Sequence, residues 1–487
     1  MEGTALFFQP IRTLAELIKS KKISPVELTK GYLARLEKYG KHYGAVVTIL
    51  HEQALREART AETEITSGKY RGLLHGIPYG VKDLLAYKGA PTTWGAAPYR
   101  DRVIDQNATV IEKLQQQGAI LLAKLSMVEL AGGLGYDSAD ASFTGPGRCP
   151  WDRNYWSGGS SSGSGSAVAA GLVCFAIGSE TSGSIINPSS YCGVTGLRPT
   201  FGRISRYGAM ALCWSLDKLG PMARSADCCG IVLNAISGFD HRDASSVDKS
   251  FSHAPISALP KKKKYRLALI AGSKEGLMPA VKKNFESALE VLKNFAVIEE
   301  KEVNLPSLPF GQAMSTIVAV EGASAFHSLI VSGKVKELQN EKDRTTGFLS
   351  LMIPAVDYLQ ALRLRGRMKK EMHKIYESFD GLLCPSFATV APPIEKDFSN
   401  GYKNFGSRST GVIPAGNLVG QPGLALPTGF GDHHLPTSMT ITGRIWSEPT
   451  LLTLGQLYQM ETKFHLEQPH LTTESDKEKK STNEPKT

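Results

Sequence analysis

Residues 156–200 read WSGGSSSGSGSAVAAGLVCFAIGSETSGSIINPSSYCGVTGLRPT, and this stretch decides how the whole chain is interpreted. Its first half is so rich in glycine and serine that, taken alone, it is typical of a flexible linker. The apolar run at residues 167–173 follows directly, and its composition predicts a packed helix rather than a spacer. We therefore interpret residues 154–209 as part of the folded core.

Patterns typical of strands and helices alternate on both sides of this stretch. Short apolar runs bounded by turn residues predict buried strands at 76–83 and 118–124, with a helix at 109–117 before the second strand. Such alternation favours an α/β fold in which helices cover both faces of a sheet. The other predicted elements are two helices within 11–39, the second starting at the cap residue Ser24 and Pro25, helices at 52–68, 282–295 and 358–379, and strands at 266–270 and 382–385.

Length and local composition bear on the domain organisation. The chain has 487 residues, more than the roughly 250–300 at which one core usually stops growing, but large α/β enzymes often fold as one unit. We predict a single domain over residues 1–469. The polar, proline-containing segment 238–264 is the best candidate for a connection between two halves, and the polar residues 470–487 are predicted to be disordered.

Charge and cysteine usage exclude several classes of protein. The formal net charge is +10, but the excess is spread along the chain apart from the lysine run at 261–264 and the C-terminal tail. No nucleic-acid-binding motif accompanies it, so no nucleic-acid partner is expected. Seven cysteines without a C-x-x-C motif predict reduced thiols rather than disulfides or a zinc site. We see neither a signal peptide nor a run of about 20 apolar residues, which predicts a cytoplasmic protein without a membrane span.

Three short motifs in the sequence are weak. Residues 159–163 fit the nucleophile elbow G-x-S-x-G, but the residues before them read as a loop instead of the strand that this motif needs. Ser215 and Lys218 fit the S-x-x-K of penicillin-binding enzymes, whose companion K-T-G is missing. His433 and His434 lack the acidic or thiolate neighbours of a metal site and are interpreted as a solvated turn. We therefore expect neither a metal nor a cofactor.

Several longer motifs together resemble the amidase signature family. The stretch 156–200 is similar to the family's Gly/Ser-rich core over its whole length, and residues 76–83 (GIPYGVKD) resemble its lysine motif. Residues 379–385 (FDGLLCP) and 420–427 (GQPGLALP) are similar to its C-terminal portion. The resemblance covers roughly residues 10–465 in the family's order, which is far more specific than any short motif. It implies the amidase signature fold, a large mixed central sheet covered by helices on both faces.

The resemblance also implies a catalytic triad of Lys82, Ser160 and Ser184. Ser184 corresponds to the family's nucleophile, Ser160 to the serine that relays a proton, and Lys82 to the base. A serine hydroxyl is a poor nucleophile unless a base takes its proton, and a lysine acts as a base only when it is neutral. Burial in an apolar neighbourhood is therefore expected to lower the pKa of Lys82.

Two backbone features accompany this triad in the family. The family's relay serine follows a cis peptide bond, so we predict one between Gly159 and Ser160. The backbone N–H groups of Thr181, Ser182 and Gly183 are expected to form the oxyanion hole, because they precede the nucleophile directly. Gly183 allows the chain to approach the substrate closely.

Two positions bear on the substrate. Family members commonly carry an arginine two residues after the nucleophile, where this chain has Ile186, so the polar network around the loop is expected to differ. The residues that reach the acyl pocket in the family correspond to Ala131, Gly132 and Gly133. Their small side chains indicate room for a bulky acyl group.

The resemblance implies a hydrolase of amide C–N bonds, and three functions are considered, of which the third is of a different class. The favoured function is a free-standing amidase that cleaves amides, anilides, carbamates or esters, and allophanate- or urea-type hydrolysis is a lesser alternative. The alternative is the A subunit of a tRNA-dependent amidotransferase, whose arginine-rich motif before the long C-terminal helix is replaced here by the apolar residues 351–358. The third is a catalytically silent binding protein. The expected partner is a small-molecule amide, and a homodimer is compatible with the sequence.

Overall fold

The computed structural model describes residues 4–258, 264–395 and 412–473. Most of the tail predicted to be disordered, residues 474–487, lies outside the described residues, as do residues 261–263 of the lysine run. In the described parts of the chain, no helix is long and apolar enough to cross a membrane. The seven cysteines are buried free thiols, which confirms the prediction of reduced thiols.

Strands and helices alternate along the described chain, as predicted. The strands are β1 (Val46–Ile49), β2 (Pro78–Lys82), β3 (Ile120–Leu125), β4 (Phe175–Glu180), β5 (Thr195–Arg198), β6 (Lys218–Ala223), β7 (Tyr265–Ile270), β8 (Ala296–Val303), β9 (Gly381–Pro385), β10 (Gly423–Phe430) and β11 (Pro436–Thr442). The α-helices are α1 (Ile11–Lys19), α2 (Pro25–Tyr39), α3 (His51–Thr66), α4 (Thr109–Gln116), α5 (Ser162–Ala169), α6 (Ile186–Cys192), α7 (Ala226–Ile236), α8 (Pro279–Leu292), α9 (Phe310–Ala325), α10 (His327–Val331), α11 (Glu341–Ser350), α12 (Ala355–Ile375), α13 (Val412–Val419) and α14 (Glu448–Glu461).

All of these strands belong to one mixed sheet. Their order is β1-β3-β2-β4-β6-β5-β10-β11-β9-β7-β8. Strands β3, β2 and β4 are parallel, β9, β7 and β8 are parallel, and the pairs between these two groups are antiparallel. The predicted α/β fold with a large mixed sheet is therefore confirmed.

The sheet runs without a break across the two halves of the chain. The strands β1–β6 precede the predicted connection at residues 238–264, and β7–β11 follow it. The two groups meet where β5 pairs with β10, with Leu197 opposite Leu424. A hydrophobic core of buried residues from both halves packs against this sheet.

The start of α2 shows how local sequence sets an element boundary. The Ser24 hydroxyl accepts hydrogen bonds from the N–H groups of Val26 at 2.9 Å and Glu27 at 3.3 Å. The Glu27 carboxylate in turn accepts from the Ser24 N–H at 3.3 Å, which completes a capping box. Since Pro25 needs no N–H partner at the first helical position, the helix starts where the sequence predicted.

Helix α5 departs from the sequence-based prediction. The helix predicted at 167–173 is observed at Ser162–Ala169, so that it starts within the Gly/Ser run and is buried throughout. Glycine and serine are weak helix formers, and tertiary packing decides the boundary instead. A Cβ on Gly163 would lie 2.4 Å from the Ala45 carbonyl oxygen, and one on Gly165 would lie 2.8 Å from that of Pro188. Only glycine lets this helix approach its neighbours so closely.

Candidate active site

Lys82 and Ser179 meet at one edge of the sheet. Strands β2 and β4 are adjacent and parallel, with Val81 opposite Ile177, so their carboxyl ends lie side by side. Ligands of open α/β sheets commonly bind at this edge. The Lys82 ammonium nitrogen Nζ is completely buried and lies 2.7 Å from Ser160 Oγ and 2.9 Å from Ser179 Oγ. The structure therefore brings together two of the three predicted catalytic residues, and it adds Ser179.

The environment of Lys82 favours its neutral form. Burial lowers the pKa of Lys82 to about 7, although the carboxylates of Asp217 and Glu180 act in the opposite direction. The direction agrees with the expectation from the sequence. Lys82 therefore loses its proton more readily than an exposed lysine does, as a lysine that acts as a base requires.

Contacts of the backbone at Gly159 and Ser160 fix the position of the Ser160 side chain. The peptide bond between Gly159 and Ser160 is cis, as predicted. The Gly159 N–H donates to Asn187 Oδ1 at 2.8 Å, and the Ser160 carbonyl accepts from the Val128 N–H at 3.1 Å. A Cβ on Gly159 would lie 2.7 Å from the Trp156 ring, so no larger residue fits there. These contacts hold the Ser160 hydroxyl against Lys82.

Ser184 lies in the loop that joins β4 to α6, directly beside the Ser160 segment. Its carbonyl accepts a hydrogen bond from the Ser161 N–H at 3.3 Å. The loop is anchored because Glu180 Oε2 accepts from the N–H groups of Ile185 at 2.8 Å and Ile186 at 3.0 Å. The Ser184 side chain is partly exposed, and its hydroxyl has no hydrogen-bond partner among the described residues. The backbone of the predicted nucleophile is thus held, while its hydroxyl is free to react.

The predicted oxyanion-hole residues carry unused backbone donors. Within residues 4–258, 264–395 and 412–473, the N–H groups of Thr181, Ser182 and Gly183 have no acceptor. Thr181 and Gly183 are buried, where an unpaired backbone N–H costs free energy, whereas Ser182 is exposed. Gly183 has a φ of +92°, and the Thr181 hydroxyl donates to Asp217 Oδ1 at 2.5 Å, which fixes the first residue of the loop. The arrangement can therefore stabilise negative charge on a substrate oxygen.

The polar network under this loop is centred on Glu180. Glu180 Oε1 accepts from Arg198 Nη1 at 3.0 Å and from Asn417 Nδ2 at 2.8 Å. Burial by itself would raise the pKa of Glu180, but the Arg198 guanidinium and the donated N–H groups hold it below its usual value. The Ile186 side chain instead packs in a small apolar cluster with Ile413. The cation that balances Glu180 thus comes from β5.

Removing that cation should destabilise the protein. Arg198→Met leaves Glu180 buried without its ion-pair partner, so we expect the free energy of unfolding to fall by about 3–5 kcal/mol in a denaturant titration. The double variant Glu180→Gln with Arg198→Met is the control, and it should recover part of this loss because no charge is then left unpaired. A loss below about 1 kcal/mol for Arg198→Met would contradict the assignment.

A cavity of about 1240 Å³ opens beside Ser179, whose hydroxyl accepts a hydrogen bond from Lys82. Its wall includes Ser179 and Thr181 at the catalytic edge and reaches outward to Trp214. Of the three residues predicted for the acyl pocket, Ala131 lines this cavity. Gly132 and Gly133 do not line it. A Cβ on Gly132 would lie 2.6 Å from the Tyr136 ring, and one on Gly133 would lie 2.7 Å from the Phe326 ring. Their small size serves close packing, which differs from the sequence-based interpretation.

The S-x-x-K match does not form a catalytic pair. The Ser215 hydroxyl donates to Glu321 Oε1 at 2.7 Å, and the Lys218 ammonium donates to the Leu216 carbonyl. Burial lowers the pKa of Lys218 to about 7, so a lowered pKa alone does not distinguish it from Lys82. The difference is that only Lys82 contacts serine hydroxyls among the described residues. Asp217, within this same motif, is a site residue that the sequence analysis missed.

The sequence analysis also did not predict three other polar residues that bind the site. No recognisable pattern marks Ser179, and Asn187 and Asn417 are distant in sequence from the groups they bind. His433 and His434 form an exposed turn, as predicted, in which the His434 ring stacks on Phe430 with 4.1 Å between centroids.

Comparison with known proteins identifies the family and the fold of this chain. The profile of the family described as Amidase matches residues 27–452. The glutamyl-tRNA(Gln) amidotransferase A subunit of Dehalococcoides mccartyi (strain CBDB1) is 33% identical over 480 residues, which covers 94% of this chain and 97% of the relative. The peptide amidase of Stenotrophomonas maltophilia superposes with a TM-score of 0.81 at 26% identity, over 96% of this chain and 99% of that one. A chain from a vestigial protein complex that reveals the evolutionary origins of an s-triazine catabolic enzyme superposes with a TM-score of 0.85 at 26% identity, over 96% of this chain and 100% of that one.

These matches show the class of protein to which the chain belongs. Fold and family match together place the chain among enzymes that act on carbon–nitrogen bonds. The chain belongs to the amidase family, and the resemblance to the amidase signature is confirmed.

Proposed function

We propose that this chain hydrolyses the C–N bond of a carboxamide through an acyl-enzyme on Ser184. The observation that carries the proposal is the buried Lys82 Nζ, 2.7 Å from Ser160 Oγ, in a segment hydrogen-bonded to the backbone of Ser184. A base, a relay hydroxyl and a free nucleophile are the parts that acyl transfer needs. We propose that the reaction needs no cofactor, because proton transfer activates the nucleophile and backbone N–H groups stabilise the developing negative charge.

The reaction begins with attack by Ser184. Its Oγ forms a bond to the substrate carbonyl carbon while its proton passes to Ser160 and the Ser160 proton passes to Lys82. The carbonyl electron pair moves onto oxygen, where the N–H groups of Thr181, Ser182 and Gly183 stabilise it. The intermediate collapses, the C–N bond breaks, and the proton returns from Lys82 through Ser160 to the leaving nitrogen. Water then attacks the ester by the same proton path and releases the acid and free Ser184.

The test of this proposal is covalent trapping combined with turnover. Ammonia or amine release is measured for a panel of amides, anilides, a carbamate and glutamine, and the protein is acid-quenched for intact-mass analysis. We expect at least one substrate to turn over and to add its acyl mass to the peptide that contains Ser184. If no substrate is cleaved and no acyl adduct forms, the silent binding protein becomes the better description.

A narrower candidate is glutamine hydrolysis as the A subunit of a tRNA-dependent amidotransferase. The 33% identity to the A subunit of a glutamyl-tRNA(Gln) amidotransferase, over nearly the full length of both chains, favours it. The sequence analysis preferred the free-standing amidase, but this identity supports the amidotransferase A subunit better. Such a subunit works with other proteins, so this candidate adds protein partners to the small-molecule substrate. In the panel above, turnover of glutamine alone would favour it.

A further inference from the structure

The cavity lined by Ser179 and Thr181 is large and its wall is mostly apolar. At about 1240 Å³ it exceeds the roughly 300–1,000 Å³ of ordinary small-molecule sites. Apolar side chains form much of the wall between the catalytic edge and the mouth: Leu84, Ala131, Met210, Leu212, Trp214 and Val320. The Trp214 side chain belongs to this wall and is 66% exposed. Such a surface gains free energy by burying apolar groups of a ligand.

The two arginines in the wall are already occupied by the protein. Arg206 Nε pairs with Asp243 at 3.4 Å, and its other nitrogens donate to the Trp214 and Asp217 carbonyls and to Ser245 Oγ. Arg242 is held in the same way: its guanidinium donates to Asp240 Oδ1 at 3.0 Å and to Glu112 Oε2 at 2.7 Å. Neither guanidinium presents a free two-pronged edge to the carboxylate of a ligand.

The carboxylates of the wall are equally engaged. Glu321 accepts four hydrogen bonds, from Cys213 Sγ, the Ser215 N–H, Ser215 Oγ and Tyr358 Oη, at 2.7–3.3 Å. A carboxylate has about four lone-pair sites, so Glu321 has none left for a ligand ammonium group. Asp217 accepts from Thr181 Oγ1 and from the N–H groups of Leu212 and Cys213.

Asp243, the remaining carboxylate of the wall, is also satisfied inside the protein. It binds Arg206 with Oδ2 and the N–H and hydroxyl of Ser245 with Oδ1. Each of the five charged side chains that the described structure places in the cavity wall is therefore hydrogen-bonded inside the protein: Arg206, Arg242 and Asp243 in ion pairs, and Asp217 and Glu321 by neutral donors. A zwitterionic amino acid would have to break these internal hydrogen bonds or leave its own charges unpaired, and either costs free energy.

From this pairing we infer that the substrate is an uncharged amide with a bulky apolar group, for which Trp214 forms the outer binding surface. The inference rests on the proposed amide hydrolysis, and within it the cavity favours the free-standing amidase, whereas the sequence identity favours the glutaminase candidate. An apolar group fills the volume, contacts the aliphatic wall and Trp214, and disturbs none of the internal ion pairs. Glutamine, which carries an ammonium and a carboxylate on its acyl part, lacks this complementarity.

Three primary amides that release the same product, ammonia, test the inference on the full-length chain. They are butyramide, 4-phenylbutyramide and glutamine, whose acyl chains have matched positions around the amide. We expect kcat/KM for 4-phenylbutyramide to exceed that for butyramide by roughly 100-fold and that for glutamine by more, because the phenyl ring alone is buried. Glutamine or butyramide turned over as efficiently as 4-phenylbutyramide would overturn the inference and leave amide hydrolysis standing. If none of the three is hydrolysed while an anilide or a carbamate of the wider panel is, the inference fails and the proposed function stands.

A pair of variants tests whether Trp214 forms the outer binding surface for the apolar group. Trp214→Ala should lower kcat/KM for 4-phenylbutyramide about tenfold more than for butyramide, mainly through KM. Met460→Ala is the matched control, since Met460 is equally exposed at 66% but lies on α14 and does not line the cavity. This control should leave both substrates unchanged. Equal losses for both amides in Trp214→Ala would show that the residue is structural only and would contradict its assignment as the outer surface.

Discussion

Ser184→Ala is expected to reduce kcat/KM for any accepted amide by roughly 10,000-fold or more, which is the scale of loss when a catalytic serine is removed. The physical reason is that the Ser184 hydroxyl has no hydrogen-bond partner in the described chain, and its residue is held beside the Ser160 segment by the hydrogen bond from the Ser161 N–H. Steady-state ammonia or amine release gives the rate, and intact-mass analysis shows whether an acyl adduct still forms. The adduct should be absent.

Stability and a neighbouring serine are the controls for this expectation. Because the Ser184 hydroxyl has no hydrogen-bond partner in the described chain, its removal should change the free energy of unfolding by less than about 0.5 kcal/mol. Ser182→Ala, two residues earlier in the same loop, keeps its backbone N–H and should cost less than about tenfold in kcat/KM. A Ser184→Ala enzyme that retains a tenth of the wild-type rate would place the nucleophile elsewhere.

Lys82→Met should lower kcat by roughly 1,000–10,000-fold, in line with loss of a general base. The wild-type kcat/KM should rise with pH through about 7, because Lys82 accepts a proton only in its neutral form and burial sets its pKa to about 7. Below that pH the amine is protonated and the rate falls. In Lys82→Met the rise at about pH 7 should disappear, which a purely structural role would not produce.

Lys218→Met is the matched control for Lys82. Lys218 is also buried with a pKa lowered to about 7, but it donates to the Leu216 carbonyl and not to a serine. We expect Lys218→Met to keep the rise in kcat/KM near pH 7 and to change kcat of the folded enzyme by less than tenfold, even if it unfolds at lower temperature. A loss of that rise in Lys218→Met would mean that the pH profile does not report Lys82. Folded fraction is measured by circular dichroism before each rate.

Motifs in the sequence located most of the proposed machinery. The Gly/Ser stretch and the lysine motif pointed to Lys82, Ser160 and Ser184, and the cis bond between Gly159 and Ser160 was predicted from the same motifs. Strands predicted at 76–83 and 118–124 are observed at Pro78–Lys82 and Ile120–Leu125. These features could be predicted because apolar periodicity and short-range spacing are properties of contiguous residues.

The sequence by itself determined the family, the order of elements and the residue types of the proposed triad, because each of these depends on patterns of neighbouring residues. Only the tertiary structure decided the partners of those residues. Asp217 reaches Thr181 because β6 lies beside β4, and Asn417 reaches Glu180 across 237 positions of sequence. The internal hydrogen bonds that engage the charged side chains of the cavity wall have the same origin. Such contacts depend on strand order and on burial, and neither follows from the composition of any one segment.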